Sequence, residues 1–162
     1  MSDDKPAKDN PSAYNKALGL LVRREQSARE LKTKLDRSGY DIAESASAID
    51  ALQAQQYQND GRFAELLARS RAANGYGPRR IFAELRSHAI SDAEINAAIG
   101  ALDCDWHDLA RRQLQRHYGR KPVADNKERG RRAAFLLRRG FDAATVSALT
   151  RADIGDPGDQ FD

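Results

Sequence analysis

The stretch SARELKTKLDRSGYDIAESASAIDAL, residues 27–52, decides the fold, because it holds two helices with their punctuation in 26 residues. Ser27 and Glu30 form a capping box, in which the serine oxygen accepts from the amide three residues on and the glutamate reaches back. Ala28, Leu31 and Leu35 then recur at three and four positions, the period of one helix face. Gly39 supplies the stop, since a left-handed residue is the usual way to end a helix. Asp41-Ile42-Ala43-Glu44 repeats the cap chemistry, and Ile42, Ala46, Ile49 and Leu52 mark the apolar face of a second helix.

Shifted by 50 positions, the same pattern returns. Leu31 falls on Ile81, Leu35 on Leu85, Tyr40 on Ile90, Ile49 on Ile99 and Leu52 on Leu102, with a second capping box at Ser91 and Glu94. A further shift of 51 carries Leu85 to Leu136, Ala89 to Gly140, Ile90 to Phe141, Ser91 to Asp142 and Ile95 to Val146. Each unit starts with a helix of its own, marked by Ala17-Leu20-Leu21, Phe63-Leu66-Leu67 and Trp106-Leu109-Ala110. The expected fold class is therefore all-α: an elongated tandem array of three three-helix repeats, which must stack because one unit of about 45 residues buries too little apolar surface alone. The boundaries expected are a disordered tail over 1–11, repeats over 12–58, 59–104 and 105–152, and a second disordered tail over 153–162. Arg132 falls where Leu31 and Ile81 are apolar, which predicts a more polar face for the middle helix of the third repeat.

Composition narrows the function. With 162 residues, 40% hydrophobic and 31% charged, the chain suits a folded, helix-rich protein. It has no apolar run of the roughly 20 residues that a membrane span needs. The polar start Met1-Ser2-Asp3-Asp4 lacks the form of a secretory signal, so the expected location is the cytoplasm. The single cysteine, Cys104, excludes an internal disulfide. Its neighbours Asp103 and Asp105 do nothing to lower its pKa, so a nucleophilic role is not expected. His88, His107 and His117 lack metal-ligand spacing, and Gly75-Tyr76-Gly77-Pro78 lacks the Gly-Lys-Ser/Thr ending of a phosphate loop. It reads as a turn with Pro78 at the first helical position. No catalytic residue, metal or cofactor is expected, and the chain does not read as an enzyme.

The charge is unevenly placed. Between Leu109 and Arg139 there are eleven basic residues against two acidic ones, an excess of nine, so a net charge of +3 leaves the remainder at −6. Arginine outnumbers lysine 20 to 7, and its planar fork suits phosphate and carboxylate partners. The candidate partner-binding and DNA-binding residues are Arg79, Arg80, Arg111, Arg112, Arg116, Arg120, Lys121, Arg131, Arg132, Arg138 and Arg139. Nothing marks a base-reading helix, so any nucleic-acid binding should be nonspecific and salt-sensitive. Trp106, Tyr118, Phe135 and Phe141 read as core rather than as stacking platforms.

Several of these motifs together resemble the RecX family of bacterial recombination regulators. The run from Gly61-Arg62-Phe63-Ala64 to Arg69-Ser70-Arg71, then Gly75-Tyr76-Gly77-Pro78-Arg79-Arg80-Ile81 and Glu84-Leu85, is similar to that family's central signature. Asp105-Trp106, Leu109-Ala110-Arg111 and Tyr118-Gly119 resemble the start of its third unit. The run Phe135–Phe141 resembles its close, and Arg23, Ser27, Glu30-Leu31 and Lys34-Leu35 its opening. The resemblance covers residues 13–150. It implies tandem three-helix repeats and a non-catalytic protein that binds the RecA recombinase filament on single-stranded DNA; a monomer is expected because a repeat array with a polar tail at each end has no need to dimerise. Such a protein restrains ATP hydrolysis, strand exchange and co-protease activity, and so modulates recombination and the SOS response. The alternative reading is a general nucleic-acid binder, single- or double-stranded, that inhibits by occupying DNA. Two departures stand out: Ala89 where the family commonly has Gly, and Asn59-Asp60 in place of an acidic pair.

Overall fold

A computed structural model describes residues 10–151; the two tails expected at the ends lie, but for residues 10 and 11, outside the described residues. Nine helices and no strand occur among them: α1 (Ala13–Arg23), α2 (Ala28–Arg37), α3 (Ile42–Ala54), α4 (Asp60–Ala73), α5 (Pro78–Ser87), α6 (Asp92–Gly100), α7 (Trp106–Tyr118), α8 (Asn126–Arg139) and α9 (Ala143–Arg151). Three per repeat is the number the sequence pattern predicts. The chain divides into two compact units, Met1–Phe63 and Ala64–Asp162, and α4 runs across the division.

In the first unit α1, α2 and α3 pack on one another around Ala13, Ala17, Leu31, Leu35, Ala48, Ile49 and Leu52. The Ser27 hydroxyl accepts from the Glu30 amide at 3.1 Å and starts α2 as expected. Gly39 follows the end of α2 with φ +87°, and Tyr40 N–H returns to Leu35 O at 3.2 Å. The start of α3 departs from expectation. Asp41 makes no side-chain cap, and Glu44 instead accepts the Ala13 amide at 3.1 Å, so this carboxylate tethers the first turn of α1. The buried face of α3 is Ser45, Ala48, Ile49 and Leu52; Ile42 is 67% exposed and Ala46 is exposed. Both were expected on the core face, but Ile42 is the first residue of α3, and about 100° per residue turns Ala46 off the buried face through Ser45, Ala48, Ile49 and Leu52.

The second unit holds the last two repeats apart from the start of α4. Ile81, Leu85, Ile90, Ile95 and Ala98 are buried where α5 packs on α6. Ser91 caps α6 by accepting from the Glu94 amide at 3.2 Å. Arg71 of α4 grips Glu84 of α5 with two hydrogen bonds, 2.8 and 2.6 Å. In the third repeat Leu109, Ala110, Leu114, Leu136, Phe141, Val146 and Leu149 form the core, with Cys104, Trp106, Tyr118 and Phe135 packed against it. The four aromatics are thus part of or against the core. Asp105, Asp125 and Asp142 cap α7, α8 and α9, accepting from Asp108, Glu128 and Thr145 amides at 3.0, 2.8 and 2.7 Å.

Candidate interaction surface

The arginines gather in the second unit around two features, a turn and a concavity. The turn is Gly75-Tyr76-Gly77, which joins α4 to α5 and meets the end of α8. Gly77 N–H donates to Arg139 O at 2.7 Å, and Arg79 N–H donates to Gly140 O at 2.9 Å, so two backbone hydrogen bonds tie the second repeat to the third. No side chain fits between them. A Cβ on Gly77 would lie 2.5 Å from the Gly140 carbonyl, one on Gly140 2.4 Å from Arg80 Cβ, and one on Gly75 2.2 Å from the Gln113 amide. The three glycines therefore permit close approach, which is a stronger requirement than a turn alone. Pro78 follows at the first position of α5, as expected.

That approach brings together residues about 60 apart in sequence. The Arg80 guanidinium lies over the Tyr76 ring at 4.1 Å, and that of Arg139 lies 4.8 Å from the same ring. Arg139 also donates to Asn74 O at 3.3 Å and approaches Phe135. Arg79, Arg80, Arg138 and Leu137 line a shallow depression of about 420 Å³ over Gly140 and Phe141. Arg79, Arg80 and Arg138 are exposed there and form no ion pair with a described residue.

The concavity lies within the third repeat and has a volume of about 540 Å³. His107, Arg111, Leu114 and Gln115 of α7 line one side, and Ala148 and Leu149 of α9 another. Gly119, Arg120 and Lys121 of the following loop, with Arg132 of α8, complete the wall. Arg111 is held by Asp108, which Arg112 also meets at 3.0 Å. Hydrogen bonding from Arg111, with the attraction of both guanidiniums, holds the Asp108 carboxyl below its ordinary pKa despite some desolvation. Arg120 and Lys121 are exposed and make no ion pair with a described residue. Arg116 on α7 and Arg131 on α8 are exposed and line neither feature.

Arg132 corrects the sequence reading. It is 3% exposed, so the middle helix of the third repeat does not become polar at this position; the arginine fills the core position that Leu31 and Ile81 fill elsewhere. Its guanidinium donates to Glu128 Oε1 at 2.8 Å and to Lys121 O at 2.9 Å, and packs 5.1 Å from the Tyr118 ring centre. The Ala124 amide and Arg132 both donate to Glu128, which holds that carboxyl below its ordinary pKa. Arg132 is thus spent on tying the α7–α8 loop to α8, and only its edge reaches the concavity. Arg139 is half-buried for a similar reason.

Among the described residues no group of three or more His, Cys, Asp or Glu could hold a metal ion. Burial pushes the Cys104 thiol up, away from the thiolate. No helix of the described residues is long and apolar enough to cross a membrane.

The fold and this surface define a class: tandem three-helix repeats that present exposed cations. Three family profiles match along the chain, described as the first, second and third three-helix domains of RecX, over residues 13–52, 59–99 and 103–149. The chain is 41% identical over 141 residues to the regulatory protein RecX of Xanthomonas oryzae pv. oryzae (strain PXO99A), covering 87% of each. It is 36% identical to that of Xanthomonas campestris pv. campestris (strain B100), covering 96% of this chain and all of the relative. The corresponding protein of Stenotrophomonas maltophilia (strain K279a) is 40% identical, with 94% and 92% covered. A crystal structure of regulatory protein RecX matches with a TM-score of 0.73 at 20% identity, covering 86% of this chain and 70% of that one. RecX from Lactobacillus salivarius matches with 0.71 at 20% identity, covering 88% and 94%. The chain belongs to the RecX family of regulatory proteins.

Proposed function

We propose that this protein binds the RecA filament on single-stranded DNA and inhibits its ATPase, strand-exchange and co-protease activities, modulating recombination and the SOS response in the bacterial cytoplasm. The single observation behind this reading is the match of all three RecX three-helix domains, in order, along one chain. The protein acts by binding, as a monomer, without a cofactor or a catalytic step. The exposed cations Arg79, Arg80, Arg111, Arg112, Arg116, Arg120, Lys121, Arg131 and Arg138 meet filament carboxylates or DNA phosphates; Arg132 and Arg139 support them from below. A second reading, nonspecific coating of single- or double-stranded DNA, is favoured by the same excess of nine positive charges.

Stoichiometry separates the two. RecA ATP hydrolysis is followed on excess single-stranded DNA while the protein is titrated at two salt concentrations. Inhibition at amounts far below the number of DNA sites, persisting at the higher salt, is the expected result. Inhibition only near saturation of the DNA, and lost with salt, establishes the coating reading instead.

A further inference from the structure

The concavity of the third repeat has no described carboxylate opposite Arg120 and Lys121, and that repeat is followed by a segment of opposite sign. Residues 152–162 hold four aspartates, Asp153, Asp156, Asp159 and Asp162, and no lysine or arginine. We propose that this acidic segment docks intramolecularly in the basic concavity and competes there with outside polyanions. The proposal rests on reading the third repeat as a polyanion-binding face.

Three observations carry it. The first is placement: Ala148 and Leu149 of α9 form part of the concavity wall, and α9 ends at Arg151, so the segment starts three residues beyond that wall. Eleven residues reach at most about 36 Å when extended, which is ample for a site that begins beside them. The second is charge. Arg120 and Lys121 carry two positive charges unmatched by a described partner, while Arg111 shares Asp108 with Arg112. The segment brings four carboxylates within eleven residues, a charge opposite to theirs, as a run of phosphates also would. The third is concentration: a tethered segment of this length acts at an effective concentration of the order of millimolar, so an individually weak contact is populated until a polyanion displaces it. The apparent affinity for an outside polyanion is then lowered by the fraction of molecules whose site is occupied.

Two arms test this on the full chain. In the first, zero-length carbodiimide coupling at low ionic strength is mapped by mass spectrometry. The expected product joins the Lys121 amine to Asp153, Asp156 or Asp159, at a yield well above that at Lys127. It should disappear when oligo(dT) is added. Coupling spread evenly over Lys121, Lys127 and the other lysines, or absent from Lys121, overturns the proposal. In the second arm, fluorescent oligo(dT) is titrated against the wild type and against the variant with all four aspartates changed to Asn. A gain of about 3- to 10-fold in affinity at low salt is expected, shrinking as salt rises. In an Arg120→Ala/Lys121→Ala background the same four changes should give little gain. An equal gain there means that the aspartates act only through net charge, which also overturns the proposal. Selective Lys121 coupling without oligo(dT) binding would sink the polyanion reading and leave the docking standing; the converse would do the reverse.

Discussion

Helices α2, α5 and α8 occupy the same place in their repeats, and each is followed by a residue with left-handed backbone. The residues are Gly39 (φ +87°), Ala89 (φ +57°) and Gly140 (φ +92°). A Cβ on Gly39 would meet nothing within 4 Å, whereas one on Gly140 would lie 2.4 Å from Arg80 Cβ and 2.6 Å from Arg80 N. One conformation thus answers to two demands. At Gly39 glycine only relieves backbone strain, and at Ala89 the chain accepts that strain. At Gly140 glycine also lets two repeats touch, and that contact positions Arg79, Arg80, Arg138 and Arg139.

The largest expected effect follows from that contrast. Gly140→Ala combines a left-handed alanine with an overlap that only movement of α5 can relieve. That movement breaks the Gly77-to-Arg139 and Arg79-to-Gly140 hydrogen bonds. A loss of about 3–4 kcal/mol in a denaturant titration is expected. Gly39→Ala, which adds strain alone, should cost about 1 kcal/mol. Equal losses would mean that the junction does not constrain position 140.

The second comparison sets Arg132 beside Ile81 and Leu31. All three are buried, but only the arginine brings a charge, matched by Glu128, by Lys121 O and by the face of Tyr118. A buried pair held this way contributes little over a well-packed apolar residue. Arg132→Leu should therefore stay within about 1 kcal/mol of the wild type, while Arg132→Ala, which leaves a void, should cost about 2–3 kcal/mol. If Leu were as harmful as Ala, the hydrogen bonds rather than the volume would be what the position needs.

Arg132 also shows where sequence reading stops. The repeats were legible because their marks are local: Ser27 and Ser91 cap within one turn, Pro78 opens α5, and the apolar period survives shifts of 50 and 51. The charge at position 132 pointed outward, because the partners that make its burial tolerable lie one turn back, across the loop and on α7. Ile42 failed in the opposite sense: its hydropathy suited the core, yet as the first residue of α3 it is 67% exposed, and the buried face runs through Ser45, Ala48, Ile49 and Leu52. For the surface, the sequence supplied the cations but not their grouping. Arg79 and Arg80 meet Arg138 and Arg139 only through the Gly75–Gly77 turn, whose glycines carry the marks of a turn in the sequence and none of the contact they make.

A smaller effect concerns the second repeat, which lacks the glycine but has the Arg71–Glu84 clamp. The hydrogen bonds from Arg71, opposed by partial burial and aided by its charge, hold Glu84 below the ordinary carboxylate pKa. A depressed folded pKa adds stability above the unfolded value, about 4.3, and that stability is lost as pH falls through the folded value. Glu84→Gln should therefore lower stability at pH 7, by about 1 kcal/mol for a bidentate half-buried pair. Below that window, wild type and variant should converge. A constant gap from pH 7 to pH 3 would show that Glu84 acts by packing.

The smallest effect sharpens the opening comparison. Ala89 is exposed, so its methyl contributes little packing, yet it holds φ +57° at a cost of roughly 1 kcal/mol for an L-residue. Ala89→Gly removes that strain but also gives the unfolded chain more freedom, which offsets part of the gain. The net expectation is a stabilisation of about 0.5 kcal/mol, read as a higher denaturant midpoint with an unchanged slope. Because position 89 bears no contact like that between Gly140 and Arg80, the change should leave oligo(dT) binding unaltered. A loss of stability instead would show that unfolded-state entropy outweighs left-handed strain at this helix end. The single glycine at position 39 would then need a reason other than its backbone angle.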